Sequence, residues 1–126
     1  MSSPDFQGFS DLIGLTFTDV EAEYSRATLS VTDELKNPHG VLHGAAAYAM
    51  ADTGMGAALY PTLDDGQQCA TIEIKISYLK PVSSGTLVCE TDVVRRGRTV
   101  AFLESEVRTD DRTVAKATGS YSIFER

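Results

Sequence analysis

One stretch leaves this chain little choice of fold. Residues 45–60 (AAAYAMADTGMGAALY) form its one long run that reads as helix, and a Gly-rich turn, Asn37 to Gly44 (NPHGVLHG), leads straight into it. Ala, Met and Leu favour helix. Gly40 and Gly44 tolerate backbone angles that other residues resist, and Gly44 has no side chain to obstruct a ligand. A helix that starts here aims its first free N–H groups at the turn. That end suits negative charge: a carboxylate, a phosphate or an oxyanion. Asp52 is the only charge in the run and sits among small apolar neighbours. A buried carboxylate without a partner is expensive, so Asp52 is either hydrogen-bonded or functional.

The rest reads mostly as strand. Residues 4–13 have scattered apolar positions and suit a short helix. LTFTDVEAE and YSRATLSVTD follow as strands; the second alternates, with Ala27, Leu29 and Val31 on one face and Arg26, Thr28 and Ser30 on the other. The helix spans roughly residues 42–60 and is ended by Pro61 and Asp64-Asp65-Gly66. In residues 68–80, strict alternation puts Ala70, Ile72, Ile74, Ile76 and Tyr78 on one face and Thr71, Glu73, Lys75 and Ser77 on the other. LVCETDVVR, TVAFLESEVR and TVAKATGSYSIF complete the set, with turns at Arg96-Gly97-Arg98 and Asp110-Asp111. Strands joined by such short turns run antiparallel. The expectation is a single α+β domain over residues 1–126, one long helix packed on five or six antiparallel strands. One sheet and one helix leave edges and a face to hide, so self-association is expected.

Composition narrows the function. A formal net charge of −7 argues against nucleic acid as partner, because phosphate binding needs a positive field. No apolar run approaches the roughly 20 residues of a membrane span, and no basic segment precedes an apolar one near the N-terminus. The expected location is cytoplasmic, with no membrane partner. Cys69 and Cys89 lack metal-ligand spacing, so reduced, partly buried thiols are expected rather than a metal site or a disulfide.

His43 and Asp52 are nine residues apart, which puts them on opposite sides of a helix and roughly 13 Å apart along it. One helix does not easily bring both to one substrate. Two copies in a two-fold dimer do, with the N-terminal turn of one chain meeting the Asp of the other. Gly44 N–H then binds a carbonyl oxygen and stabilises the oxyanion. Asp52 serves as nucleophile or as the general base for water. Asn37 helps hold the carbonyl or the water, and Thr71 orients that water. Each has a blander reading: a His at a helix start often only caps backbone groups, and Asp52 can simply accept hydrogen bonds from nearby Ser or Thr. His39 is a turn residue. Lys80, Arg95, Arg96 and Arg98 cluster around two turns, either as a solvated rim or as phosphate contacts.

The pattern of Asn37, Gly40, His43, Gly44 and Asp52 resembles the hotdog-fold acyl-CoA thioesterases, most nearly the phenylacetate-degradation (PaaI-like) group related to the 4-hydroxybenzoyl-CoA thioesterases. The strand ATIEIKISYLKP and the segment RRGRTVAFLESEV extend the resemblance over nearly the whole chain. The resemblance implies a hotdog fold, with a sheet wrapped on one central helix, and dimers joined sheet edge to sheet edge and usually paired as a dimer of dimers, a homotetramer. It implies a composite site: Asp52 as catalytic carboxylate, Gly44 as oxyanion donor, Asn37 at the thioester, His43 for positioning or thiol departure, and Thr71 beside the carboxylate. Lys80, Arg95, Arg96 and Arg98 would meet the phosphates of an acyl-CoA substrate, and no cofactor or metal is needed. Ala45 departs from a second Gly common in the family, which narrows the pocket slightly. Hydrolysis of aryl- or medium-chain acyl-CoA is the expected activity. The alternatives are a non-catalytic acyl-CoA-binding module, which has no need of a desolvated carboxylate, and a dehydratase or hydratase, whose His–carboxylate spacings are missing here.

Overall fold

The computed structural model describes residues 8–126. A short helix, α1 (Phe9–Ile13), ends at Gly14, whose φ of 78° is the left-handed conformation of a helix stop. Residues 4–7 of the expected helix lie outside the described residues. Two strands follow, β1 (Leu15–Glu21) and β2 (Tyr24–Ser30), then the long helix α2 (Gly44–Leu59). The chain finishes with β3 (Gln67–Tyr78), β4 (Thr86–Arg96), β5 (Val100–Thr109) and β6 (Arg112–Glu125). All six strands form one antiparallel sheet in the order β1-β2-β4-β5-β6-β3. Asp110 and Asp111 make the expected tight hairpin, with φ of 47° and 64°, the double left-handed turn that matches strand twist. Among the described residues no helix is long and apolar enough to cross a membrane.

The sheet wraps on α2. Met50, Met55, Ala58 and Leu59 of the helix are fully enclosed by Leu29, Leu87, Leu103, Val107 and their neighbours. Full burial of such a Met or Leu side chain contributes about 1.5–3 kcal/mol. The helix lies close to the strands at Gly54, where a Cβ would sit 2.8 Å from Thr91 Oγ1. Ser25 Oγ donates to the Gly54 carbonyl at 2.7 Å, and the Thr91 and Ser105 hydroxyls pair at 2.7 Å beneath it. A glycine and three small hydroxyl side chains thus set how deep α2 sits, and with it the height of Asp52 above the sheet.

Two features of β3 bear on the site, and the second differs from the sequence expectation. The strand follows the helix in sequence yet pairs with the last strand, β6, so one of its edges is left free. The connection 79–85 crosses to β4 instead of closing a hairpin. Strict alternation also fails along β3. The register with β6 slips between Thr71, opposite Tyr121, and Glu73, opposite Ser120. Ile72 is the extra residue of this bulge and is 55% exposed. Cys69 and Thr71 therefore face the helix, as Ile74 and Ile76 do, while Ala70 and Ile72 do not share the face of Ile74. Bulges re-aim side chains in this way, and they are frequent beside functional sites.

Candidate active site

The turn before α2 is built by its own side chains. Asn37 Oδ1 accepts the N–H of His39 at 2.9 Å and that of Val41 at 3.4 Å, and Gly40 supports the loop with a φ of 83°. The Asn37 side chain is left with its N–H donors for other work. His43 is the N-cap of α2: its Nδ1 accepts the Ala45 N–H at 2.9 Å, and its carbonyl accepts that of Ala46 at 3.0 Å. With Nδ1 accepting, the donor N–H of the ring is on Nε2. The capping role and a role in positioning are compatible, because the cap uses only Nδ1. Among the described residues the Gly44 N–H has no acceptor. It remains as the free donor at the positive end of a 16-residue helix. Tyr78 packs against Gly44 with the hydroxyl end of its ring: its hydroxyl donates to the Gly44 carbonyl at 2.8 Å, and a Cβ at residue 44 would lie 2.9 Å from the ring.

Asp52 is half-buried in the middle of α2. Its Oδ1 accepts two hydroxyls, Thr71 Oγ1 at 2.8 Å and Tyr121 OH at 2.6 Å. The bulge in β3 is what turns Thr71 toward it. Tyr121 OH also lies 2.7 Å from the Asp52 backbone carbonyl. Both donors lie on one carboxylate oxygen, and among the described residues Oδ2 accepts no hydrogen bond. The carboxylate is thus gripped by one oxygen and presents the other. Burial, and then its bond to Asp52, push the Tyr121 pKa far above the usual phenol range, so the phenol keeps its proton and stays a donor. Tyr121 was not singled out in the sequence. The available signal was its parity: Ala115, Ala117 and Gly119 share its inward face on β6 and are all small. A large side chain with a polar tip on that face calls for a buried partner.

Tyr121→Phe tests this grip. Losing one bond to a charged acceptor removes roughly 1.5–3 kcal/mol of orientation, so kcat should fall about tenfold or more. KM should change little, because the phenol holds Asp52 rather than substrate. Steady-state kinetics with folding followed by circular dichroism check this; a fall confined to KM would assign Tyr121 to substrate binding instead.

The four cations separate. Lys80 lines a cleft of about 420 Å³ together with His43, Gly44, Tyr78 and Leu79, beside the start of α2. Arg96 is committed inside its own chain: its guanidinium donates to the Thr62 side chain and carbonyl, to the Gly97 carbonyl and to Gln67 Oε1. Arg95, near the end of β4, and Arg98, on the turn after it, are exposed beside it. Gln67 opens β3, and Lys80 lies just beyond its end at Tyr78. The 12 residues of β3 span about 36 Å. Within one chain, then, Asp52 with Thr71 lies toward the end of β3 that adjoins the Arg95–Arg98 turn. Gly44 with Tyr78 and Lys80 lies at the other end.

Comparison with known proteins identifies the family. The thioesterase superfamily profile matches residues 39–116, from the turn before α2 into β6. A Saccharolobus solfataricus protein named "Putative esterase" is 37% identical over 115 residues, which cover 86% of this chain and 81% of that protein. The proofreading thioesterase EntH of Cronobacter sakazakii is 35% identical over 80 residues, 62% of this chain and 58% of EntH. The crystal structure of a phenylacetic acid degradation-related protein from Ralstonia eutropha JMP134 matches with a TM-score of 0.87 at 29% identity, over 95% of this chain and 92% of that one. The chain belongs to the thioesterase superfamily: it is a hotdog-fold thioester hydrolase of the PaaI-like group.

Proposed function

We propose that the chain hydrolyses aryl- or medium-chain acyl-CoA thioesters to the free acid and CoA, in sites built by two chains. The observation that carries this reading is the one-sided grip on Asp52, which leaves Oδ2 free for chemistry. The thioester carbonyl oxygen has its own donor, the Gly44 N–H, which has no acceptor among the described residues. The two are eight residues apart on α2, about 12 Å along its axis. β3 has a free edge, and antiparallel pairing of two such edges about a two-fold axis sets the end of one β3 beside the start of the other. Gly44 of one chain then approaches Asp52 of its partner, and Lys80 approaches the Arg95–Arg98 turn across the same mouth.

In such a site the thioester carbonyl oxygen takes the Gly44 N–H as donor. In one route, Asp52 Oδ2 accepts a proton from water as the water oxygen bonds to the carbonyl carbon. The oxyanion collapses, the C–S bond breaks, and the Asp52 proton passes to the CoA sulfur. In the other, Oδ2 itself attacks, CoA leaves, and water then hydrolyses the mixed anhydride. Both routes need the same free oxygen. Asn37 N–H donors and His43 Nε2–H supply positioning at the thioester and the departing sulfur. Two of the dimers have a further surface available in the outer sheet face, where Val94, Val100 and Phe102 are exposed, in keeping with a dimer of dimers. The free thiols of Cys69 and Cys89 suit a reducing, cytoplasmic setting.

Release of free thiol from benzoyl-CoA and hexanoyl-CoA tests the activity directly. Arg98→Ala tests the phosphate rim in the same assay. Loss of an exposed charge contact should raise KM about threefold to fivefold, more at low salt, with kcat little changed. An unchanged KM with lower kcat would remove Arg98 from the CoA site. Arg96 is the poorer phosphate ligand, since its donors already hold Thr62, Gly97 and Gln67 together.

A further inference from the structure

The side of α2 turned from the core carries exposed Ala45, half-buried Thr53, Gly56 and Ala57, all small, and one large ring, Tyr48, which is 36% exposed. Its position has a geometric meaning if Gly44 of one chain meets Asp52 of the other. A two-fold operation that exchanges residues 44 and 52 exchanges each position with its mirror about their midpoint, and the midpoint is residue 48. The match holds around the helix as well as along it. At about 100° per residue, residue 48 lies about 40° from Gly44 and about 40° from Asp52, and about 6 Å along the axis from each. Tyr48 therefore falls on the two-fold axis and faces its own copy, between the two active sites.

We infer that the paired Tyr48 rings close the acyl end of each site and set which acyl groups it accepts. The inference rests on the composite-site reading. Of the two arms of a thioester, the CoA arm carries charged phosphates and has to stay at the wet mouth where Lys80 lies. The acyl arm is left to point inward, toward the axis. There it meets an aromatic face within about 6 Å of the carboxylate along the helix. A flat aryl group stacks on such a face, and a short or medium chain fits before it. A long chain runs into the ring. Tyr78 adjoins the same wall: its hydroxyl sits on the Gly44 carbonyl, and burial and then the Tyr48 phenol push its pKa up.

The test has two arms. In the first, kcat/KM is measured for hexanoyl-, decanoyl- and benzoyl-CoA. Tyr48→Ala should open a space continuous between the two sites, so that the benzoyl-to-decanoyl ratio falls about tenfold or more, the scale of a few methylenes gained or lost in a pocket. Tyr48→Phe keeps the ring and should hold the wild-type ratio. In the second arm, Tyr48→Cys in a Cys69→Ser, Cys89→Ser background is treated with a short bis-maleimide, because two facing rings hold the residue 48 backbones farther apart than a disulfide spans. A cysteine on the axis faces its copy and should give a covalent dimer on a denaturing gel. A crosslink with an unchanged substrate ratio would overturn the role of Tyr48 in selection and leave the composite site standing. No crosslink would overturn the placement on the axis. If mixing Asp52→Ala chains with Asn37→Ala chains also fails to restore activity, the shared site falls with it.

Discussion

Asp52→Ala is expected to lower thioester hydrolysis by about 10²-fold or more, the usual loss when a general base or nucleophile is removed. The fold should survive this change. Tyr121 does not lose its last partner, because its hydroxyl also reaches the residue 52 backbone carbonyl at 2.7 Å, which the alanine keeps. Thr71 is exposed enough to turn to water. The core around Met55 and Leu59 is untouched. Asp52→Asn is the sharper variant. Its amide oxygen can still take the Thr71 and Tyr121 hydroxyls, so the side chain stays in place, while the group at the Oδ2 position becomes an amide without basicity. Equal losses in the two variants would assign the effect to the missing carboxylate oxygen and not to a collapsed pocket. Turnover near wild type in Asp52→Asn, measured by thiol release, would sink the assignment of Asp52 to the chemistry.

The parts legible in the sequence were those written in local physics. A Gly-rich turn before an Ala-rich run marks a helix start, and α2 begins at Gly44 as that pattern requires. Asp110-Asp111 marks a hairpin because Asp tolerates left-handed angles, and both residues adopt them. Asp52 stood out as one charge in an apolar run. What stayed hidden depends on contacts between distant segments. Nothing in residues 67–78 signals that β3 slips by one residue at Ile72, since Ile72 fits the alternating pattern as well as Ile74 does. Only pairing with β6 reveals the slip, and the slip is what turns Thr71 toward Asp52. Tyr121 was hidden for the same reason: it is 69 residues from Asp52 in sequence. Arg96 read as one more exposed cation, because its acceptors at Thr62 and Gln67 lie across a turn that closes only in the folded chain. His43 could be read as a cap or as a working residue, and its Nδ1 bond to Ala45 establishes the cap.

Mixing two crippled chains should restore activity. Asn37→Ala removes the oxygen that holds the His39 and Val41 N–H groups, so it disturbs the turn that presents Gly44. Asp52→Ala removes the carboxylate at the other end of the site. Each homodimer then carries a damaged component in both of its sites. In a hybrid, one site collects both lesions: the missing carboxylate of one chain and the damaged turn of the other. The second site combines the intact Asp52 of the Asn37→Ala chain with the intact turn of the Asp52→Ala chain. Random exchange makes about half of the dimers hybrid, each with one working site of two, so about a quarter of wild-type activity should return by two-fold symmetry. The structure separates the two lesions within a chain: Asp52 is bound to Thr71 near the start of β3, and the turn adjoins Tyr78 at its end. Subunit exchange is verified with a tagged chain before activity is read. If exchange is complete and activity stays at the level of the parents, the site does not combine Asp52 of one chain with the turn of the other. The α2 helix would then have to place an oxyanion donor and its carboxylate about 12 Å apart along a single axis, too far to act on one carbonyl carbon, and Gly44 would lose the oxyanion role while Asp52 kept its own.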